Sequence, residues 1–123
     1  MVQHTIARLD AAFAALSDAT RRGVLEHLER SDASITELAE TFDMTLTGMK
    51  KHVVVLEQAG FVITQKVGRV RTCSLGQRGL DEAAVWIEQR RQLWNTRFDA
   101  LDKVVAEMKR KEKANGQRKR QPH

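Results

Sequence analysis

Cysteine occurs once in these 123 residues, as Cys73, which rules out an internal disulfide framework. No apolar run approaches the ~18 residues needed to cross a bilayer, so no membrane partner is expected. The opening M-V-Q-H-T-I-A-R-L-D lacks the apolar core of a signal peptide. A cytoplasmic location is therefore the expectation. The histidines, at 4, 27, 52 and 123, are scattered. Metal sites need tightly clustered Cys, His or carboxylate ligands, so neither a metal nor another cofactor is expected. Also missing are a phosphate-binding G-x-x-x-x-G-K-[ST] loop, a G-x-S-x-G elbow and an H-E-x-x-H pair. The carboxylates fall on helix exteriors with no pocket to tune them. An enzyme is not expected.

What the chain does have is charge, unevenly placed. Residues 1–43 carry 4 basic and 8 acidic side chains, and residues 44–79 carry 6 and 1. Residues 80–108 carry 4 and 6, and residues 109–123 carry 7 and 1. The formal net charge of +5 is thus concentrated in 44–79 and in the C-terminal segment. An evenly solvated surface would mix its signs. Segregated positive charge fits a polyanion footprint. The length suits one domain with a modest core.

Apolar periodicity divides the chain into short helices. Ile6, Leu9, Phe13 and Leu16 mark a first amphipathic helix. Ser17 and Asp18 are N-cap types before a second helix that runs to about Arg30 and buries Val24, Leu25 and Leu28. Ser31-Asp32-Ala33 reads as a short link. Ser34-Ile35-Thr36-Glu37 fits a capping box for a third helix, burying Leu38 and Phe42. Asp43-Met44-Thr45 makes a turn, with Thr45 as N-cap of a fourth helix. Leu46, Met49, Val53 and Leu56 lie on one face of that helix, and Gly60 closes it. Val62–Leu75 is rich in β-branched residues and is broken by Gly68-Arg69, which reads as a two-residue hairpin turn.

From Leu80 the pattern changes. Leu80, Ala84, Ile87, Arg91, Trp94, Phe98, Leu101, Val105 and Met108 recur every 3.5 residues on average. This predicts a long helix over 80–108 with a coiled-coil-like seam. So small a core cannot cover so long an apolar edge, so a partner helix from a second chain is expected. The segment 109–123 has almost no apolar residues and reads as a disordered basic tail. It would serve as a weak polyanion tether or as solubilising disorder.

The order helix, helix, helix, polar-faced helix, basic hairpin, long helix resembles the winged helix-turn-helix repressors of the ArsR family. The matching words are A-L-S-D-A-T-R-R-G-V-L-E-H-L at 15–28, T-E-L-A at 36–39 and M-T-L-T-G-M-K-K-H-V-V-V-L-E-Q-A-G-F-V at 44–62. The run W-I-E-Q-R-R-Q-L-W-N-T-R-F-D-A-L-D at 86–102 resembles the branch without metal thiolates, whose genes often lie beside those of START-like proteins. The resemblance implies a mainly α fold with a small β-hairpin, dimerising through its first and last helices. It also implies a homodimer that represses by occupying an operator. Where that branch commonly has Ser-Lys-His, this chain has Lys50-Lys51-His52. Position 47, often proline, is Thr47, and position 54, often basic, is Val54.

The expected recognition-helix residues are Thr45, Thr47, Gly48, Lys50, Lys51 and His52. Lysine donates to guanine O6 and N7, and threonine donates, accepts or meets a thymine methyl. Gly48 would permit close backbone approach. His52 reads more simply as a half-buried residue that orients the helix or meets a phosphate than as a base contact, a pH switch or a metal ligand. The expected wing residues are Lys66, Gly68, Arg69 and Arg71, laid on phosphates or in a minor groove. Charged edge strands also guard against aggregation. The expected dimer interface is Leu9, Phe13, Ile87, Trp94, Phe98, Leu101 and Val105. Trp86, Trp94 and Phe98 read as plain dimer packing or, alternatively, as the lining of a pocket for a small-molecule effector at the dimer seam. Cys73 reads as a packed strand residue. The expected domains are a DNA-binding and dimerisation domain at 1–108 and the tail at 109–123. The expected partners are double-stranded DNA and a second copy of the chain. The alternatives are a ligand-responsive regulator and, from another class, a helical protein-interaction module. The cationic helix and hairpin argue against the module, because helix pairing alone needs neither.

Overall fold

The computed structural model describes the backbone of residues 2–120 and the side chains of residues 6–116. The helices are α1 (Val2–Leu16), α2 (Ala19–Arg30), α3 (Ile35–Thr41), α4 (Leu46–Gln58) and α5 (Arg78–Arg120). The strands are β1 (Ala33–Ser34), β2 (Val62–Val67) and β3 (Val70–Leu75). The chain divides into two units, Met1–Val85 and Trp86–His123.

In the first unit the starts of α2, α3 and α4 are each set by a side chain. The Asp18 carboxylate accepts from the Arg21 amide at 3.0 Å, and the Ser34 hydroxyl accepts from the Glu37 amide at 3.0 Å. The Thr45 hydroxyl accepts from the Gly48 amide at 3.0 Å. Each cap satisfies an amide that has no partner within its own helix. Between α3 and α4 the chain turns at Asp43, whose φ of +51° is the only positive value at a non-glycine among the described residues. The Met44 amide then donates to the Ala39 carbonyl at 2.8 Å, closing the turn. Aspartate is one of the few side chains that visit this region at modest cost.

α4 ends at Gly60, with φ +83°, and the Arg78 guanidinium stands where a Cβ would project. Gly68 takes φ +64° while Arg69 does not go positive. A positive φ at the first central residue alone is the type II′ pattern, whose twist suits a two-residue hairpin. The hairpin register runs from Val62↔Leu75 to Val67↔Val70. β1 adds to the other edge of β3, pairing Ala33 with Cys73, so the order is β1-β3-β2. The sequence reading made Ala33 part of a link. Two residues carry no periodicity, and the strand forms because β3 presents an open edge.

The core centres on Leu38, Met49, Leu56 and Val24, all at 0% exposure. α1 meets it differently from the sequence expectation. Ala12 and Ala15 are fully buried, whereas Ile6 is 53% and Phe13 37% exposed. Small side chains let α1 approach closely; Ile6 and Phe13 lie off the line of contact, while Leu16 packs partly against the core. On α4, Met49, Val53 and Leu56 are buried as expected, but Leu46 at the first turn is exposed.

In the second unit, α5 continues without a break through residues 109–120, where the sequence reading places a disordered tail. Lys, Arg, Glu and Ala are all good helix formers, so polarity alone does not end a helix. Residues 121–123 lie outside the described residues. Trp94, Phe98, Leu101 and Met108 are all more than half exposed.

The Asp43 turn gives a stability test. Asp43→Val should lower unfolding free energy by about 1–2 kcal/mol, because a β-branched residue is poorly tolerated at this φ. Asp43→Gly should stay within about 1 kcal/mol of the parent, since relief of strain offsets added chain entropy. Urea denaturation of the three proteins measures both shifts.

Candidate nucleic-acid interface

Burial of Met49, Val53 and Leu56 fixes the rotation of α4 about its own axis. The opposite face is then exposed, carrying Thr47, Lys50, Lys51, Val54 and Gln58. At 3.6 residues per turn these five form one stripe along the helix. Thr45 sits at the N-terminal end of the helix, and its hydroxyl oxygen is held by the Gly48 amide. A Cβ on Gly48 would stand 3.0 Å from that same oxygen. Glycine at 48 therefore keeps the cap uncrowded as well as leaving the first turn slender.

His52 is set apart from the stripe. Its side chain is only 20% exposed, and its Nδ1 lies 3.8 Å from an Asp18 carboxylate oxygen. An Arg21 guanidinium nitrogen lies 3.3 Å from the same ring nitrogen. Arg21 in turn donates to the Ala15 and Ala14 carbonyls at 2.9 and 2.8 Å. The Arg22 guanidinium donates to the Leu16 carbonyl at 2.7 Å. The last carbonyls of α1 are thus satisfied by two arginines of α2, which complement the negative end of α1. His52 ties α4 to that cluster. The sequence showed the histidine but not its neighbours, because Asp18 and Arg21 come from a distant helix.

The hairpin cations Lys66, Arg69 and Arg71 and the turn residue Gly68 are all exposed. Lys66 and Arg71 face each other across the hairpin, one step before its Val67–Val70 end. The Arg71 guanidinium donates to the Thr64 hydroxyl at 3.1 Å. Thr64 donates to the Glu57 carboxylate of α4. This relay joins the last turn of α4 to both hairpin strands, so helix and hairpin hold a set relation. Glu57 is the one acidic residue of 44–79, and sequence reading gave it no role.

Cys73 is fully buried in the middle strand. Burial pushes its thiol up to about 11, the Glu57 carboxylate adds to the rise, and Arg71 opposes it. At neutral pH it is a protonated, packed thiol, the state in which cysteine is least reactive. Among the described residues, no three His, Cys, Asp or Glu side chains converge on a point that could hold a metal. No helix among them is long and apolar enough to cross a membrane.

A helix-turn-helix followed by a β-hairpin defines the winged class of DNA-binding proteins, and comparison with known proteins agrees. A helix-turn-helix domain family matches residues 16–65. The uncharacterised HTH-type transcriptional regulator YuzN of Bacillus subtilis is 36% identical over 87 residues, covering 64% of this chain and 95% of YuzN. The transcriptional repressor SdpR of the same organism is 28% identical over 79 residues, covering 64% of this chain and 88% of SdpR. The crystal structure of an ArsR family transcriptional regulator is 40% identical, with TM-score 0.68, covering 72% of this chain and 92% of that one. The homodimeric winged helix-turn-helix DNA-binding domain Mb0332 of Mycobacterium bovis, at 19% identity and TM-score 0.55, covers 75% of this chain and 84% of that one and shows the fold alone. The chain belongs to the ArsR family of transcriptional regulators, which are DNA-binding proteins and not enzymes.

The cap cluster gives a pH test. The hydrogen bond from the Arg21 amide holds the Asp18 carboxyl below its ordinary 3.8; desolvation opposes it, and the charges of His52 and Arg21 add to the lowering. A depressed folded-state value means this contribution is present above about 3.8 and is lost as pH falls below it. Asp18→Asn keeps a cap acceptor but has no charge to titrate. Its thermal midpoint should therefore fall less steeply than the parent's between pH 5 and pH 3, as differential scanning fluorimetry would record.

Proposed function

We propose that the protein is a cytoplasmic transcriptional repressor that binds a palindromic operator as a homodimer. The observation that carries this reading is the single exposed stripe on α4, with Thr47, Lys50 and Lys51 turned away from the core. Thr45 and Gly48 bring the slender first turn of α4 to the groove floor. Lys50 reads a base edge and Lys51 meets phosphate. His52 orients the helix through Asp18 and Arg21. Lys66, Arg69 and Arg71 hold the flanking backbone, with Gly68 letting the hairpin tip lie close. Repression is supported by similarity to SdpR, a transcriptional repressor.

Dimerisation is supported by the apolar row of α5, from Ile87 through Trp94, Phe98 and Leu101 to Val105, each at least 41% exposed. Leu9 and Phe13 of α1 also meet the second copy. Mb0332, a homodimer with this fold, sets a precedent. Two recognition helices would then enter successive major grooves ~34 Å apart. Residues 1–108 are the DNA-binding and dimerising part, and the basic segment beyond adds a weak sequence-independent tether. A small-molecule effector seated by the aromatic residues of α5 is a second reading. The exposed Trp94 and Phe98 favour it, and plain packing between subunits uses the same residues.

Two experiments test this. Replacing Trp94 and Phe98 together by Ala should remove about 2 kcal/mol or more of association energy per aromatic anchor. Sedimentation should show the parent as a dimer at about 10 micromolar, in the range of a weak dimer, and the double variant as a monomer. A parent that stays monomeric there sinks the dimer.

The DNA contacts separate by role. Lys50→Ala should cost about 1–3 kcal/mol on the preferred site and relax choice at one base pair per half-site. Arg69→Ala should weaken all sequences alike and flatten the salt dependence by roughly one unit per lost phosphate contact. Affinity for matched and mismatched duplexes over a salt series reads both. If Arg69→Ala alters base choice while Lys50→Ala does not, α4 is docked differently. If neither matters, the interface lies elsewhere.

A further inference from the structure

Val54 is 45% exposed, while its neighbour Val53 is 2% exposed. In the stripe of Thr47, Lys50, Lys51, Val54 and Gln58 it is the only apolar member. At 100° per residue Val54 falls between the directions of Lys50 and Lys51, nearly two turns beyond Thr47. Leu46, the other exposed aliphatic residue of α4, lies about a quarter turn away, outside the stripe. A β-branched residue gives up rotamer freedom in a helix. At this position little core burial offsets that cost. A side chain at the centre of a groove-facing stripe, with no donor or acceptor, has one partner on the floor of a major groove. That partner is the C5-methyl group of thymine, the only methyl that the four bases present there.

We propose that Val54 is a specificity residue that selects thymine at one base pair of each half-site through its methyl group. The inference rests on the docking of α4 proposed above. Two effects act together. Methyl-to-methyl contact removes apolar surface from water. A cytosine or adenine amine at the same place would meet an aliphatic wall and lose a hydrogen bond to water without replacement. Thr47 lies ~10 Å away along the helix axis, so the two side chains meet different base pairs. Lysines on either side hold the valine over the groove floor by engaging their own acceptors.

The test removes the methyl and nothing else. A preferred duplex is selected from a random pool with the full-length protein. Each thymine is then replaced, one at a time, by deoxyuridine. At one thymine per half-site the replacement should weaken parent binding about fourfold, the equivalent of ~0.8 kcal/mol for one buried methyl or methylene group. Val54→Ala should bind thymine and deoxyuridine alike at that position. It should keep its response to replacement at every other position. Val54→Thr, close to valine in shape, should retain part of the methyl effect. Val54 is outside the core, and circular dichroism should show all variants folded. A selected site whose thymines all tolerate deoxyuridine overturns this inference and leaves the DNA-binding reading standing. So does a methyl effect that persists undiminished in Val54→Ala. A protein that selects no duplex from the pool overturns both.

Discussion

The rotation of α4 about its own axis is the constraint on which the rest depends. Met49, Val53 and Leu56 are held against Leu38 and Val24 in a core that leaves each of them at most 2% exposed. Turning the helix by one residue, about 100°, would drive Lys50 toward that core and bring Met49 into water. Burying an unpaired ammonium costs far more than any single contact gains. The polar stripe is therefore set by the apolar one. The Asp43 turn, the Thr45 cap and the Gly60 exit fix where α4 begins and ends along that axis. The cluster of Asp18, Arg21 and His52 fastens its flank to α2, and the relay through Glu57 and Thr64 fastens its last turn to the hairpin.

Features decided by neighbouring residues were legible in the sequence. The caps at Asp18, Ser34 and Thr45 each involve partners three residues apart, so the chain itself brings them together. Gly60 and Gly68 were legible because few other residues take a positive φ easily. On α4 spacing picked out Met49, Val53 and Leu56 as buried but wrongly added Leu46, which the first turn leaves exposed. What depended on distant elements was not legible. Strand β1 exists because β3 has an edge to offer, and nothing within Ala33-Ser34 announces it. The buried face of α1 falls on Ala12 and Ala15, because a close helix crossing excludes larger side chains, and the spacing of the larger apolar residues does not reveal it. The extent of α5 was misjudged because a charged segment can be helical wherever its residues are good helix formers.

The candidate site shows the same division. Lys50, Lys51, Lys66 and Arg69 stood out by charge and lie exposed in the folded unit. Arg71 and His52 stood out equally, yet each also has a partner within the protein. Charge identified the region but not which cations are free to leave their neighbours. Val54 was marked only by the resemblance, as a position where relatives are often basic, because within Val53-Val54-Val55 the residues alone do not tell it from core. Only the helix rotation separates it from the others.

The lone acidic residue of 44–79 shows how the charge pattern and the fold support one another. A carboxylate on the exposed stripe of α4 would face phosphates and weaken any polyanion contact. Glu57 instead accepts a hydrogen bond from Thr64 while Arg71 donates to that same threonine. The carboxylate is thus spent on joining helix to hairpin. The carboxylate and the Arg71 guanidinium are joined through the Thr64 hydroxyl, and no other acidic residue lies within 44–79 beside Lys50, Lys51, Lys66 and Arg69. Removing Glu57 would raise the local positive charge, but it would also loosen the link that sets the hairpin against α4. The sequence keeps one negative charge in its basic segment because geometry, and not only charge, decides whether helix and hairpin can meet the same duplex.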